Sequence, residues 1–536
     1  MTCVAVRAGN STGGGLSMQK EIVKANIVVF IASFCTLVIE LVAGRIMAPY
    51  VGVSLYTWTS IIGVVLAGIS IGAYLGGLLA DRFPRPSTLG WLLFASGIGA
   101  FSISPLINIL GATQFQATLM MRILILTTAI FFIPSCILGM ISPVVVKLTL
   151  QNLAKTGNVV GKIYAFSTLG SIIGTFATGF YLISWMGTRN ILLSVGFVLI
   201  LSALVFGGTF IMKKSFAIVM VVCISLVWTF YGYAFKVPLD DKVYYFKESD
   251  YYTIQVRKYL TKLENTWATA LVLDHLVHSI NDLNNPRYLD YEYIRIYEEF
   301  MRWRMHRTGS LKTLFIGGGG YTLPRCLEVM YPTAEVDVVE IDPEVTRVVH
   351  EYLGVPENTK IRSFNEDGRW FVMNCEEKGK YDFIVGDAFN DLSIPYHLTT
   401  KEFAQQMAAL LKPDGILMAN VIDSYQKGLF MPSYMRTLEE VFGKGNVHLV
   451  SHKPYNEATG ISTRVIVASR QSIHMNDFLT FIKGQGGKEV MSNVMPQERL
   501  QEYLAQRPSI ILTDDYVPVD NLVAPIFEER YGYQKH

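Results

Sequence analysis

Three acidic residues stand at points where they could do chemistry: Glu340, Asp367 and Asp387. The apolar run Leu314-Phe315-Ile316 leads directly into four glycines, Gly317 to Gly320. Without side chains, such a loop lets the backbone pass close to a ligand at the C-terminal end of a strand. Glu340 falls 23 residues after Gly317, at the end of the next apolar run, where an acid can accept both hydroxyl hydrogens of a ribose. In Asn365-Glu366-Asp367-Gly368-Arg369, Asp367 could accept from an adenine amino group while Gly368 allows a close backbone approach. Asp387 follows Tyr381–Val385 and faces the crevice in which open α/β sheets bind ligands. The plainer alternative for Asp387 is a strand-end or helix-capping acid. The third glycine of the dinucleotide fingerprint is missing, with Thr322 or Leu323 in its place, so NAD, FAD and S-adenosyl ligands all stay open on this pattern.

The elements that would position these residues alternate from Leu311 onward. The pattern predicts strands at Leu314–Ile316, Val336–Ile341, Lys360–Arg362, Tyr381–Val385 and Ile416–Ile422. Helices are expected at about Leu323–Met330 and after Asp342-Pro343, with proline early in the helix. That order is the signature of an α/β fold with a doubly wound parallel sheet. Tyr244–Val256 and Ala268–Val277 look like short strands of a small β subdomain, and Tyr288–Arg304 reads as a helix.

The chain of 536 residues is 51% hydrophobic and only 17% charged, with a mean hydropathy of +0.33. This excludes disorder and a wholly soluble enzyme. Residues 1–236 hold fourteen Lys/Arg against three Asp/Glu, and residues 237–536 hold thirty-two against forty-one. The acidic second half is a poor nucleic-acid binder, because neutralising phosphates needs a basic face. No CxxC occurs, so neither a zinc site nor a redox pair is supported and no metal is expected.

The first half supplies seven apolar stretches long enough to span a bilayer: about 25–47, 56–80, 88–110, 118–146, 160–185, 189–211 and 215–236. The fourth holds Pro134 and Pro143 and could divide into a bent span and a re-entrant piece. Lys and Arg favour a cytoplasmic N-terminus, ten inside against Arg45, Arg122 and Arg189 outside. Seven spans would then put the second half outside. The expected organisation is a flexible tail (1–20), a transmembrane bundle (21–236), a β subdomain with a linking helix (243–310), a Rossmann-like domain (311–470) and a C-terminal extension (471–536). The expected setting is a lipid bilayer, the inner (plasma) membrane of a bacterium.

Taken as an ordered set, several motifs resemble the spermidine synthase family, the polyamine aminopropyltransferases, in the branch fused to a membrane bundle. They are Leu273-Asp274 with His278-Ser279, Ile316–Gly320, Val339-Glu340-Ile341-Asp342-Pro343, Glu366-Asp367-Gly368-Arg369, Tyr381–Val385 with Asp387, Leu398–Phe403 and Leu411–Gly415. The resemblance covers about residues 245–470. It implies an S-adenosylmethionine-dependent transferase fold with decarboxylated S-adenosylmethionine, or S-adenosylmethionine, as co-substrate, and a small amine as acceptor. It implies Asp387 as the catalytic acid–base, and Gly317, Gly318, Gly319, Glu340, Asp342, Asp367 and Gly368 around the nucleoside. It places His278, Tyr293, Tyr321, Asn390 and Asp391 around the acceptor and leaves room for a homodimer.

Two departures from the family pattern stand out. An acid usually follows three glycines, and here that place is Gly320. A second acid usually lies three residues after the catalytic one, and here that place is Asn390, with Asp391 next. The polyamine side of the pocket is therefore expected to be altered. Methyl transfer, cleavage of S-adenosylmethionine, or a nucleoside-binding transporter or sensor are the competing readings.

Overall fold

A computed structural model describes residues 12–52, 54–111, 113, 119–150, 156–208, 240–261, 265–274, 276–388, 394–454, 460–485 and 489–531. The chain divides into two compact units that part between Pro238 and Leu239.

The first unit contains, among the described residues, six helices long and apolar enough to cross a membrane. They are α1 (Thr12–Val51), α2 (Leu55–Arg82), α3 (Pro86–Gly111), α4 (Leu119–Thr149), α5 (Thr156–Met186, with a π turn at Thr178–Leu182) and α6 (Thr188–Phe206). The seventh expected span, 215–236, lies outside the described residues. Helix α1 begins at Thr12 and so reaches into the stretch expected as a tail. Helix α4 runs unbroken through Pro134 and Pro143, not as a span plus a re-entrant piece. In a hydrocarbon setting the remaining backbone groups are best satisfied within the helix. Glycines set the helix contacts. A Cβ on Gly72 would lie 2.0 Å from the Cys136 carbonyl oxygen, and one on Gly170 would lie 2.3 Å from that of Phe30. Thus α2 seats backbone to backbone on α4, and α5 on α1.

The second unit opens with an antiparallel sheet of four strands, β1 (Val243–Glu248), β2 (Thr253–Leu260), β3 (Trp267–Leu273) and β4 (Leu276–Asn281). Helix α7 (Glu292–Thr308) leads into the main domain. There β5 (Lys312–Ile316), α8 (Thr322–Met330), β6 (Glu335–Val339), α9 (Pro343–Tyr352), β7 (Arg362–Phe364), α10 (Gly368–Asn374), β8 (Tyr381–Gly386), α11 (Lys401–Leu410) and β9 (Leu411–Ser424) alternate. They are followed by α12 (Phe430–Phe442), β10 (Val447–Ser451), β11 (Ile461–Ser469), α13 (Met475–Lys483), β12 (Asn493–Val494), α14 (Gln497–Ala505) and α15 (Val519–Tyr531).

The main sheet has eight strands in the order β12-β10-β11-β9-β8-β5-β6-β7. Only β7, β6, β5, β8 and β9 are parallel; β11, β10 and β12 extend the β9 edge antiparallel. The expected all-parallel sheet is thus corrected to a mixed one. The regular strand–helix alternation stops after α12, and β11 returns to insert between β9 and β10. Strands β5 and β8 are almost wholly buried, as continuous apolar runs covered on both faces must be. Between β5 and β8 the winding reverses, and the crevice for a ligand opens at their C-terminal ends.

Candidate active site

At that reversal the ends of β5 and β8 are tied together. The Asp387 N–H donates to the Ile316 carbonyl at 2.9 Å. Gly317 has φ +96°, and a Cβ on it would lie 2.6 Å from the Asp387 carbonyl oxygen. Glycine is required there because the loop after β8 presses onto the loop after β5, and Asp387 is carried to the glycine loop by that contact.

Glu340, just past β6, holds the other side of the loop. Its Oε2 accepts from the N–H groups of Gly318 (2.9 Å) and Gly319 (3.3 Å), and its Oε1 accepts from Asp342 N–H (3.1 Å). Burial raises the Glu340 carboxyl to about 6, against the pull of those N–H groups. Asp342 caps α9, with Oδ1 accepting from Glu344 N–H at 2.9 Å and Oδ2 from the Ser249 hydroxyl. Asp342 thus shapes the turn that aims Glu340 and is itself engaged by protein donors. Burial moves its carboxyl up from the ordinary value.

Asp367 caps α10 through Oδ1, which accepts from Arg369 N–H (2.9 Å) and Trp370 N–H (3.0 Å). His397 Nε2 lies 2.9 Å from its Oδ2. Burial would raise this carboxyl, but the Trp370 N–H and His397 outweigh it and hold it below the usual range. A Cβ on Gly368 would meet Ile316 Cγ2 at 2.6 Å, so glycine there lets α10 start against β5.

A cavity of about 430 Å³ opens on the other side of the glycine loop. Its walls include His278 and Ser279 of β4, Tyr293 and Tyr297 of α7, Gly317 to Gly320, Asp387, and Asn420 of β9. Asp387 accepts from Asn420 Nδ2 at 2.7 Å and from the Tyr293 hydroxyl. Burial in this wall raises its carboxyl to about 7, although both donors pull it down. The Tyr293 and Tyr297 hydroxyls are in turn pushed well above their ordinary range, by burial first and by Asp387 second.

Among the expected acceptor residues, His278 and Tyr293 line this cavity, while Asn390 and Asp391 lie outside the described residues. Tyr321 does not line it and is corrected to a core residue. It is fully buried with φ +54°, and its hydroxyl lies 3.1 Å from Ser363 Oγ of β7, so it wedges the loop against the sheet. Gly320 explains one family departure. A Cβ on it would lie 1.8 Å from Ser279 Oγ, so β4 occupies the space an acid would need.

Four further residues lie outside the motifs that the sequence offers. Asn420 orients Asp387, Tyr297 faces the same cavity, and His397 sits on Asp367. Asn281 donates to the carbonyls of Gly320 (2.7 Å) and Leu353 (3.0 Å). The only hint for Asn281 and Asn420 is a polar residue inside an apolar strand run.

Residues 303–458 match the spermine/spermidine synthase domain. A polyamine aminopropyltransferase of Vibrio vulnificus is 37% identical over 144 residues, 26% of this chain and 48% of that protein. A probable polyamine aminopropyl transferase of Bifidobacterium longum is 27% identical over 225 residues, 39% of this chain and 48% of that protein. The chain spans about half the length of these curated relatives. An N-terminal histidine N-methyltransferase of Emericella nidulans is 35% identical over 135 residues, 24% of this chain and 23% of that protein. Among solved structures, a probable spermidine synthase from Corynebacterium glutamicum superposes with a TM-score of 0.44 at 20% identity, over 51% of this chain and 97% of that one. The C-terminal region of this chain carries a spermine/spermidine synthase domain.

Proposed function

We propose that the chain is a membrane-bound aminopropyltransferase that joins an amine to the aminopropyl group of decarboxylated S-adenosylmethionine. The observation that carries this reading is Asp387: a desolvated carboxyl, aimed by Asn420 and Tyr293, in the wall of the cavity beside the glycine loop. In this reading the glycine loop and Glu340 hold the ribose, and Asp367 faces the base. Glu340 would exchange its loop N–H bonds for ribose hydroxyls as the nucleoside enters.

The reaction asks little of the protein beyond alignment and proton removal. The neutral amine attacks the methylene carbon next to the sulfonium. A C–N bond forms, the C–S bond breaks, and its electron pair stays on sulfur, releasing methylthioadenosine. The extra N–H proton passes to the Asp387 carboxylate and then to water. A carboxyl raised to about 7 is matched to that task near neutral pH. The remaining rate would come from holding amine and sulfonium in line.

The six apolar helices support a place in a membrane, and the Lys/Arg bias supports a cytoplasmic N-terminus in the inner membrane of a bacterium. A homodimer belongs to the same reading by family resemblance.

A second reading, transfer or cleavage on intact S-adenosylmethionine, is favoured by the similarity to a histidine N-methyltransferase and by Ser279 filling the space at Gly320. Product analysis on purified full-length chain in detergent separates the two. Methylthioadenosine formed only with decarboxylated cofactor plus amine supports aminopropyl transfer. S-adenosylhomocysteine, or methylthioadenosine from intact cofactor alone, replaces it with the second reading.

A further inference from the structure

The helical unit holds a cavity of its own, of about 580 Å³, walled by α1, α2, α4 and α5. The glycine contacts explain where it lies. Gly72 and Gly76 seat α2 on α4, while Gly170 and Gly174 seat α5 on α1. Ser33 Oγ and Ser167 Oγ, 2.6 Å apart, tie the second pair. The cavity is the space left between the two pairs. Its walls mix two chemistries: Leu37, Ile69 and Leu138 give alkyl surface, and Ser33, Ser142 and Ser171 bring hydroxyls.

Residues 1–236 hold three acids, Glu21, Glu40 and Asp81. Glu21 and Asp81 sit at the ends of their spans and pair with Lys24 and Lys147. Glu40 lies well inside α1, is half-buried, and makes no hydrogen bond or ion pair among the described residues. Helix α1 lines the cavity with Val29, Ala32, Ser33, Thr36 and Leu37. At about 100° per residue, Glu40 falls in the middle of their arc, one turn beyond Thr36. A helical side chain leans toward the N-terminus, so the Glu40 carboxyl leans back over that turn and toward the cavity. Arg45 is turned about 140° away round the helix. A carboxylate at this depth is expensive, and a cationic ligand is what it can serve.

We propose that this cavity binds a linear aliphatic amine as its ammonium ion, with Glu40 as the counter-ion. An ammonium has three N–H donors, which a carboxylate and wall hydroxyls can share. The methylenes of the same molecule suit the alkyl share of the wall, for which an inorganic cation has no use. Asp81, in the wall beside Lys147 and itself largely exposed, offers a second anionic contact to an amine with more than one charge. The ammonium site stands without the aminopropyl-transfer reading. Only the identity of its ligand with an amine that the transferase consumes or releases rests on that reading.

The test counts labelled spermidine bound to the full-length chain in detergent by equilibrium dialysis, with turnover measured beside it. Asp387→Asn should leave the bundle-bound spermidine in place. Adding Glu40→Gln to that chain should weaken this binding at least about tenfold, the effect of one charge-assisted hydrogen bond lost. Glu40→Gln alone should keep the turnover of the unaltered chain. Gly77→Leu is an independent check: Gly77 lines the cavity and a Cβ on it meets nothing within 4 Å, so the new side chain has room to enter and fill the site. It should weaken binding similarly and keep the thermal unfolding midpoint. Binding unchanged by Glu40→Gln overturns the proposal, and so does displacement of spermidine by uncharged 1,8-octanediol, which would mark a merely apolar site. If Glu40→Gln does not fold, Gly77→Leu decides alone, and unchanged binding there overturns it. Glu40-dependent binding without turnover on any amine keeps the site and removes the transfer reading.

Discussion

The two sides of the glycine loop treat their carboxylates differently. Toward β6 and β7, Glu340, Asp342 and Asp367 all accept backbone N–H groups, and Asp342 and Asp367 also take a side-chain partner. Toward β8 and β9, Asp387 has Asn420 and Tyr293, while Tyr297 Oη, Asn420 Oδ1 and Ser279 Oγ wait without a partner among the described residues. The first side is a cradle held in shape by its own backbone. The second aims its carboxylate through two side-chain donors. Shape on one side and an aimed carboxylate on the other suit a common nucleoside and a particular acceptor.

The largest break in that contrast would come from Asp387→Asn. Turnover is expected to fall about 10³-fold, with the KM of the nucleoside changed little, because a positioned base contributes roughly 10²–10⁴. Methylthioadenosine release measures it, and a variant retaining a tenth of the activity would remove Asp387 from the proton path. In the unaltered chain kcat/KM should climb with pH through about 7 as the carboxyl ionises. The titratable groups that feel it are the hydroxyls of Tyr293 and Tyr297, and the imidazole of His278 lines the same cavity. Glu340→Gln tests the other side. It should raise the KM for the nucleoside about 10- to 100-fold and spare kcat, since a charge-assisted hydrogen bond is worth about 1.5–3 kcal/mol.

Stability should run against activity at Asp387. Its folded carboxyl is raised from 3.8 to about 7, so the fold favours the protonated form. The contribution is complete below about pH 4 and is lost as pH rises through 7. Asp387→Asn should therefore stabilise the chain at pH 8 by on the order of 1–3 kcal/mol, a range reduced because the cavity admits water. The gain should vanish near pH 4. Denaturation followed by tryptophan fluorescence in detergent at both pH values checks the sign. Gly320→Ala should cost about 1–3 kcal/mol by overpacking, and Ser279→Gly in the same chain should return most of it.

Much of this was legible because local rules and tertiary need agree. The glycine run after an apolar strand, Asp342-Pro343 opening a helix and Asp387 after β8 all follow from short-range signals. The third strand was harder: the apolar centre of Lys360-Ile361-Arg362 points to it, but pairing with β6 places it at Arg362–Phe364. Tyr321 reads as a pocket residue by adjacency alone, and its left-handed backbone turns the ring into the core. The antiparallel edge was not legible, because β11 joins β9 across a chain reversal that no periodicity records. Asn281 and Asn420 act through partners far away in sequence, which one chain read end to end cannot reveal.

The smallest effect concerns the conspicuous Thr513-Asp514-Asp515-Tyr516 turn. Arg369 Nη1 donates to Asp514 Oδ1 at 2.7 Å and to the His397 carbonyl at 3.0 Å, and its Nη2 also reaches Asp514. Lys401 N–H donates to the Leu512 carbonyl at 2.8 Å, so the segment is strapped beside the loop whose His397 side chain meets Asp367. Asp514 is half-exposed, so the pair alone is worth about 0–1 kcal/mol. Asp514→Asn should therefore barely move the unfolding midpoint. It should raise the KM for the nucleoside about two- to fivefold, the factor that up to 1 kcal/mol allows. An unchanged KM would make the turn a passive cap and confine the cradle to the glycine loop, Glu340 and the α10 cap.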